Sequence, residues 1–172
     1  MRKLIAALTT APDRAGWGQC AAILAVFALA AAGLATGTGF VRGDPVVAPW
    51  WQKAGIVAAL LFKPALLEEL FFRVLLLPRP GPAASRRQIA LWAGVSLAMF
   101  VAWHPINARL FRPAALPLFT DPVFLVLAGL LGTACTAAYL TSRSVWPGTL
   151  IHWLAVSVWV LCLGGQQALD GP

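Results

Sequence analysis

The feature that most constrains this fold is a series of five apolar stretches, each close to the length of a membrane-spanning helix. A helix needs about 20 predominantly apolar residues to cross the hydrocarbon core of a bilayer. Short connectors rich in proline, glycine and basic residues separate the stretches, which are 17–41, 54–77, 88–104, 122–141 and 145–164. They predict an all-α fold, a polytopic membrane helix bundle with about five transmembrane helices.

Composition supports one integral membrane domain with little mass outside the lipid bilayer. The 172 residues are 60% hydrophobic and 11% charged, whereas soluble domains carry about 25% charged residues. We treat 1–172 as a single domain in which 1–16 form an interfacial lead-in. The net charge of +7 could indicate nucleic acid, but the basic residues are dispersed among connectors instead of forming a patch interleaved with aromatics. We therefore expect no nucleic-acid partner.

The basic residues of the connectors predict the orientation in the membrane. Five crossings would place alternate connectors on opposite sides, and cytoplasmic connectors carry an excess of Lys and Arg. The side of the N-terminus would hold Arg2, Lys3, Arg14, Arg79, Arg86, Arg87 and Arg143, and the other side Arg42, Lys53, Arg109 and Arg112. This excess favours a cytoplasmic N-terminus and an external C-terminus.

Three ionisable residues, Glu68, Glu69 and Arg73, lie inside the second stretch. A charged side chain in hydrocarbon costs at least about 2.5–3.5 kcal/mol, so such residues are candidates for a functional site. On a helix, residues four apart face each other, and Glu69 can therefore pair with Arg73. Glu68 lies about 100° round the helix, which leaves it as a buried carboxylate suited to act as a general acid or base. Pro64, four residues earlier, predicts a kink.

The two histidines of the chain fall in or at the ends of other apolar stretches. Phe100 and His104 share a face at the end of the third stretch, and Pro105 disfavours helical geometry at His104, so we expect this helix to end or bend there. His152 lies in the first turns of the fifth stretch. Two histidines and Glu68 could orient a water and stabilise an oxyanion. The same three residues could instead bind zinc or another divalent metal, because two histidines and a glutamate form a known catalytic zinc set.

These motifs and their order resemble the CPBP family, the CAAX proteases and bacteriocin-processing enzymes also called ABI. Its members are glutamate-dependent (glutamic-type) intramembrane endopeptidases that include the type II prenyl-protein endopeptidases. The likeness covers about 54–164, which would form the catalytic core. The motifs that carry it are Glu68-Glu69-x-x-x-Arg73, Phe100-x-x-x-His104 and the late His152.

The resemblance implies a role for each matching residue. Glu68 would activate the attacking water, His104 would assist that water, and His152 would help to hold the oxyanion. Glu69 and Arg73 would support the site. The resemblance favours a mechanism without metal, so we expect no cofactor. If a metal were required, Glu68, His104 and His152 would be its ligands.

Two positions depart from the family pattern, and one is Val74, which stands where the family usually has Gly after the motif arginine. Many members have Asn four residues after the last histidine, where this chain has Val156 followed by Ser157. Either Ser157 or a backbone group would take over support of the oxyanion, or activity would be lost. The last stretch is also similar to small family members paired with bacterial C-terminal sorting-tail systems. That similarity implies a membrane-associated protein or sorting tail as substrate, and a location in the bacterial inner (plasma) membrane.

Two other functions compete with hydrolysis. The chain could be a catalytically inactive CPBP-like immunity or scaffold membrane protein, in which Glu68, Glu69 and Arg73 form an ion-pair network that locks helices together. It could also be a proton- or ion-coupled transporter, because buried Glu and His form proton relays. Five short spans without an internal repeat argue against the transporter.

Overall fold

The computed structural model describes residues 2–79 and 84–171, which are largely helical and contain no strand. Four helices, the second, fifth, seventh and eighth, are long and apolar enough to cross a membrane. In chain order the helices are α1 (Arg2–Thr9), α2 (Arg14–Gly37), α3 (Trp50–Leu60), α4 (Leu67–Glu69), α5 (Arg86–Phe111), α6 (Leu116–Phe119), α7 (Pro122–Ser142), α8 (Val145–Cys162) and α9 (Gly165–Asp170). The predicted all-α membrane bundle is confirmed.

The second apolar stretch is a broken helix. After α3 the backbone leaves helical geometry at Lys63 (φ −134°, ψ 112°), ahead of a cis peptide to Pro64. Helical turns then resume, and wide π-type turns flank the short α4 over Leu61–Leu66 and Leu70–Leu75. Because proline disfavours helical geometry in the residue before it, the break lies where Pro64 predicted a kink. We refer to residues 61–75 as the site helix.

The third span was predicted to end or bend at His104, and the prediction that it ends there is wrong. α5 begins at a capping box of Ser85 and Gln88 and continues through Pro105 to Phe111. Its last turns are held by packing, since Ala108 is fully buried in a cluster that includes Ala115, Leu118 and Phe119. Burial of these turns outweighs the local preference set by Pro105. As a result, His104 lies within a continuous helix, two turns before its end.

Helices α7 and α8 form the centre of the bundle. They are the most buried of the four long helices, and a short turn with Arg143 in left-handed geometry (φ 57°) joins them. α2 packs on α7 through a cluster that includes Cys20, Leu131 and Cys135. The site helix packs against α8 from the other side, and α5 packs against α7. This arrangement brings the site helix, α5 and α8 together.

The lead-in helix α1 packs on the end of the site helix. Ala7 is buried against Val74 and Leu77, and the Lys3 ammonium donates hydrogen bonds to the carbonyls of Leu75 (3.1 Å) and Leu77. The indole nitrogen of Trp146, at the start of α8, donates to the Leu8 carbonyl at 2.9 Å. The N-terminus, the end of the site helix and the α7–α8 turn therefore lie at one end of the bundle.

The α2–α3 connector lies at the opposite end of the bundle. The backbone N–H of Val46 donates to the Leu161 carbonyl at 2.9 Å, which joins the α2–α3 connector to the end of α8. A Cβ on Gly164 would lie 3.6 Å from Cβ of Arg42. The α2–α3 connector therefore lies at the same end of the bundle as the last turn of α8 and the residues that follow it.

Candidate active site

A buried ion pair lies at the centre of the candidate site. Glu69 and Arg73 are each 1% exposed, and Glu69 Oε2 lies 3.2 Å from Arg73 Nε. Arg73 Nη2 also donates to the Gly132 carbonyl on α7 at 3.0 Å, and the guanidinium lies over the Phe100 ring, 4.4 Å from its centroid. A buried charge is tolerated only when it is paired and hydrogen-bonded. Here a carboxylate, a carbonyl and an aromatic face lie against the guanidinium, while its Nη1 has no hydrogen-bond partner among the described residues.

His152 is the third member of this network. It is 2% exposed, and its Nδ1 lies 3.0 Å from Glu69 Oε1. An ion-paired carboxylate can only accept hydrogen bonds, so His152 Nδ1 carries the proton. Glu69 therefore fixes both the ring orientation and the tautomer of His152, and leaves Nε2 for another partner.

The remaining nitrogen of His152 faces Glu68. His152 Nε2 lies 4.0 Å from Glu68 Oε2, and the Glu68 side chain is 17% exposed. Oε2 is buried and has no hydrogen-bond partner within the described residues. A distance of 4.0 Å is too long for a direct hydrogen bond but suits two groups that share one water. The carboxylate that the sequence left without a partner is thus beside the second histidine.

His104 occupies an aromatic enclosure next to this network. Its Nδ1 lies 2.9 Å from the Phe100 carbonyl, which can only accept, so Nδ1 carries the proton and Nε2 is an acceptor in the neutral ring. The ring meets Phe100, Phe119 and Phe124 edge-to-face, with centroids 5.1, 5.4 and 5.2 Å away. Phe100 also packs against His152 at 5.8 Å. The two histidines therefore share the Phe100 ring rather than a hydrogen bond.

Ser157 lies apart from the His152 face of α8. The side chain is 8% exposed, and its Oγ is buried without a hydrogen-bond partner among the residues described. Five residues along a helix correspond to a rotation of about 140°, so Ser157 and His152 point in different directions. Val156, four residues after His152, occupies the matching face. The structure thus brings Glu68, Glu69, Arg73 and His152 together but does not add Ser157 to them.

The group of side chains that comes closest to a metal site differs from the predicted one. In the described ranges, ligand atoms of Glu69, Cys135 and His152 lie within 4.8 Å of one another, whereas Glu68, His104 and His152 form no such group. Both oxygens of Glu69 already face Arg73 and His152. A guanidinium beside the carboxylate would repel a cation. This donor set fits an ion-pair network and does not fit a divalent metal.

Two glycines and a cysteine around the ion pair were missed by sequence reasoning. Gly132 supplies the carbonyl that accepts from Arg73, and the Cys135 thiol donates to the Gly148 carbonyl at 3.4 Å. The available signal was the presence of Gly132 and Gly148 inside apolar helices, because glycine is about 1 kcal/mol less favourable than alanine in a helix interior. A glycine at such a position therefore indicates a constraint from packing.

Comparison with protein families finds a match that covers the candidate site. A family model described as "Type II CAAX prenyl endopeptidase Rce1-like" matches residues 49–158, which is more than half of the chain and includes every residue of the network above. No curated protein and no solved structure matches the chain.

Proposed function

Because the chain belongs to the Rce1-like family of type II CAAX prenyl endopeptidases, we propose that it is an intramembrane endopeptidase that uses a glutamate-activated water. The observation that carries the proposal is the Glu68 carboxylate. Its Oε2 is buried without a hydrogen-bond partner in the described part of the chain and lies 4.0 Å from His152 Nε2. A general base must have an unengaged oxygen within reach of the water that it deprotonates, whereas Glu69 Oε2 is ion-paired with Arg73 at 3.2 Å and Glu69 Oε1 lies 3.0 Å from His152 Nδ1.

The proposed reaction uses Glu68 first as a base and then as an acid. Glu68 takes a proton from water while the water oxygen attacks the carbonyl carbon of the scissile peptide bond. The tetrahedral intermediate then expels the amine, which receives the proton from Glu68. The products are a new carboxyl terminus and a new amino terminus, and Glu68 returns to its ionised form.

The two histidines have different tasks in this mechanism. Glu69 holds the Nδ1 proton of His152 and orients the ring, and the resemblance assigns His152 to the oxyanion. Loss of a donor to an oxyanion costs about 10²–10³ in kcat. The resemblance assigns His104 to the attacking water, and its Nε2 can accept a hydrogen bond because the ring proton lies on Nδ1.

We propose that this mechanism requires no metal. Both Glu69 oxygens are engaged and Arg73 adds a positive charge beside them, which opposes cation binding at the nearest donor group. Activity of the purified protein is expected to survive dialysis against a chelator. Loss of activity, with recovery on adding back zinc, would show that the reaction is metal-dependent.

The proposed substrate is a membrane-associated protein, in particular the C-terminal sorting tail of an exported protein. The support is the similarity to small sorting-tail members and a chain with little mass outside its helices. The proposed location is the bacterial inner membrane with a cytoplasmic N-terminus, as the basic connectors favour.

A comparison of protein termini tests the activity and identifies substrates together. Membrane and exported proteins from cells carrying wild type, Glu68→Gln or a deletion are compared by mass spectrometry of new termini. Asp170→Asn is the matched control, because it neutralises an exposed carboxylate outside the spans. Termini that vanish equally in Glu68→Gln and the deletion, but persist in Asp170→Asn, support the peptidase.

The second candidate function is an inactive immunity or scaffold protein. Val156 occupies the face of His152 where many family members have Asn, and this observation favours it. The scaffold predicts that Glu68→Gln yields wild-type termini and phenotype while the deletion does not.

A further inference from the structure

Two glycines on neighbouring helices bound the ion pair from opposite sides. Gly132 on α7 and Gly148 on α8 are both buried. A Cβ on Gly148 would lie 3.1 Å from Glu69 Oε2 and 3.4 Å from the Cys135 carbonyl. A Cβ on Gly132 would lie 3.2 Å from Arg73 Nη2. Each glycine therefore leaves room for one partner of the pair where an alanine would crowd it.

At Gly132, the fully buried Phe100 can transmit that crowding. At Gly132 the added Cβ would also meet Leu97 Cδ1 at 2.8 Å and Phe100 Cδ1 at 3.0 Å. Phe100 is fully buried and packs against both histidines. Packed interiors accommodate added methyl groups by shifting side chains from their preferred positions, so a change here would reach the histidine rings.

Glu69 is the link from Gly148 to the chemistry. One of its oxygens faces Gly148 and Arg73, and the other is the hydrogen-bond acceptor for His152 Nδ1. A displacement of Oε2 rotates or moves the whole carboxylate, and the acceptor of His152 moves with it. The orientation of His152 Nε2 toward Glu68 depends on that acceptor.

We infer that Gly132 and Gly148 are positioning residues. Because neither has a side chain, Glu69 and Arg73 can pair in the position where Glu69 also holds His152 with its Nε2 toward Glu68. Their importance for catalysis rests on the proposed peptidase function. Their effect on the histidine does not, and it can be measured without any substrate.

The test uses histidine as a reporter, because the chain contains only two histidines. Protein with isotope-labelled imidazole nitrogens in lipid nanodiscs gives two ring systems by nuclear magnetic resonance, and His104→Asn assigns them. Gly148→Ala is expected to shift the nitrogen resonances of His152 and leave those of His104 in place. Gly132→Ala is expected to move both rings through Phe100.

Gly129→Ala is the matched control. Gly129 is on α7 three residues before Gly132, and its added Cβ would meet only Val101 Cγ2, at an ordinary 3.8 Å. This variant is expected to leave both histidines and the activity unchanged. If Gly148→Ala does not fold, the double variant Gly132→Ala/Leu97→Ala takes its place in the test. Leu97→Ala removes the nearest steric contact of the Cβ added at position 132, and the contact of that Cβ with Arg73 remains.

Kinetics separate this inference from the proposed function. Gly148→Ala is expected to lower kcat by about 10²-fold with little change in KM, because small displacements in an active site have effects of that size. His152 resonances that match wild type, or shifted resonances with unchanged kcat, would overturn the positioning role while leaving the peptidase intact. If wild type itself shows no peptidase activity, the proposed function fails and the resonances still decide the role of the glycines.

Discussion

At the scale of single residues, Glu69 connects the candidate site, because one carboxylate oxygen contacts Arg73 and the other contacts His152. The spacing of Glu69 and Arg73 along one helix was sufficient to predict their contact, which is 3.2 Å in the structure. The contact of His152 with Glu69 joins residues 83 positions apart, and it depends on how α8 packs against the site helix. Local spacing carries no information about such a contact.

Arg73→Met tests how much the buried pair contributes to stability. Removal of one partner leaves Glu69 as an uncompensated buried charge, so we expect the free energy of unfolding to fall by about 3–5 kcal/mol. Denaturation in detergent measures it, with the exposed Arg79→Met as control. The double variant Glu69→Gln/Arg73→Met should lose less than Arg73→Met alone. An Arg73→Met protein as stable as Arg79→Met would contradict the buried pairing.

Ser157→Ala tests whether Ser157 replaces the missing asparagine. Because Ser157 and His152 point in different directions on α8, we expect kcat to fall by much less than the roughly 10²–10³ that follows loss of an oxyanion donor. Stability should not fall, since the buried hydroxyl has no partner within the described residues. Steady-state kinetics and thermal unfolding measure both quantities. A loss of kcat of the full size would show that Ser157 does contact the oxyanion.

At the scale of helices, the broken site helix depends on side chains from other elements. Backbone carbonyls in a bilayer must be satisfied within the protein. The Trp153 indole nitrogen donates to Val57 O of α3, ahead of the break, at 2.7 Å, whereas within the site helix Ser96 Oγ donates to Phe72 O at 2.5 Å. The Lys3 ammonium donates to the Leu75 carbonyl in the last turn of the site helix. The local effect of Pro64 predicted the break, whereas these donors come from distant parts of the chain that no local pattern reveals.

The difference between local preference and tertiary contact also explains why the predicted end of α5 at His104 was wrong. Pro105 gives a local preference against helix at His104, and that preference was the only information in the sequence. The structure adds the buried packing of Ala108, which keeps the helix intact to Phe111. Tertiary contacts therefore decided the length of this helix and placed His104 in the interior of the bundle.

Lys3→Met tests whether α1 supports the site helix. The substitution removes the donor to the carbonyls of Leu75 and Leu77 while keeping a long apolar side chain. A typical intramolecular hydrogen bond contributes about 0.5–1.5 kcal/mol net, and these two hydrogen bonds are exposed and half-buried, respectively, so we expect the free energy of unfolding to fall by about that amount. Arg2→Met is the control, because Arg2 is adjacent and exposed. Equal stability of the two variants would contradict a supporting role for Lys3.

At the scale of the whole molecule, the exposed apolar surface fits a lipid environment. Large apolar side chains such as Val26, Leu29, Leu91 and Val126 are more than half exposed, and soluble monomers rarely present contiguous apolar patches larger than a few hundred Å². The apolar stretches of the sequence were sufficient to predict this bundle. The apolar pattern alone does not mark the second stretch as broken, whereas Pro64 and the charged Glu68, Glu69 and Arg73 predicted both a kink and a candidate site there.

Cysteine labelling tests the proposed orientation. Cys162 at the end of α8 is exposed, whereas Cys20 and Cys135 are buried. A membrane-impermeant maleimide added to intact spheroplasts should label Cys162 from the external face, and Cys162→Ser should abolish the label. Labelling that appears only in inverted vesicles would reverse the proposed orientation.

The most direct test of the central claim is a single turnover in heavy-oxygen water, with purified protein in nanodiscs and a substrate identified from its termini. If Glu68 activates a water that attacks the peptide bond, the new carboxyl terminus carries one heavy oxygen, Glu68 stays unlabelled, and Glu68→Gln gives no product. A product without heavy oxygen after one turnover, or undiminished turnover by Glu68→Gln, would contradict the glutamate-activated water.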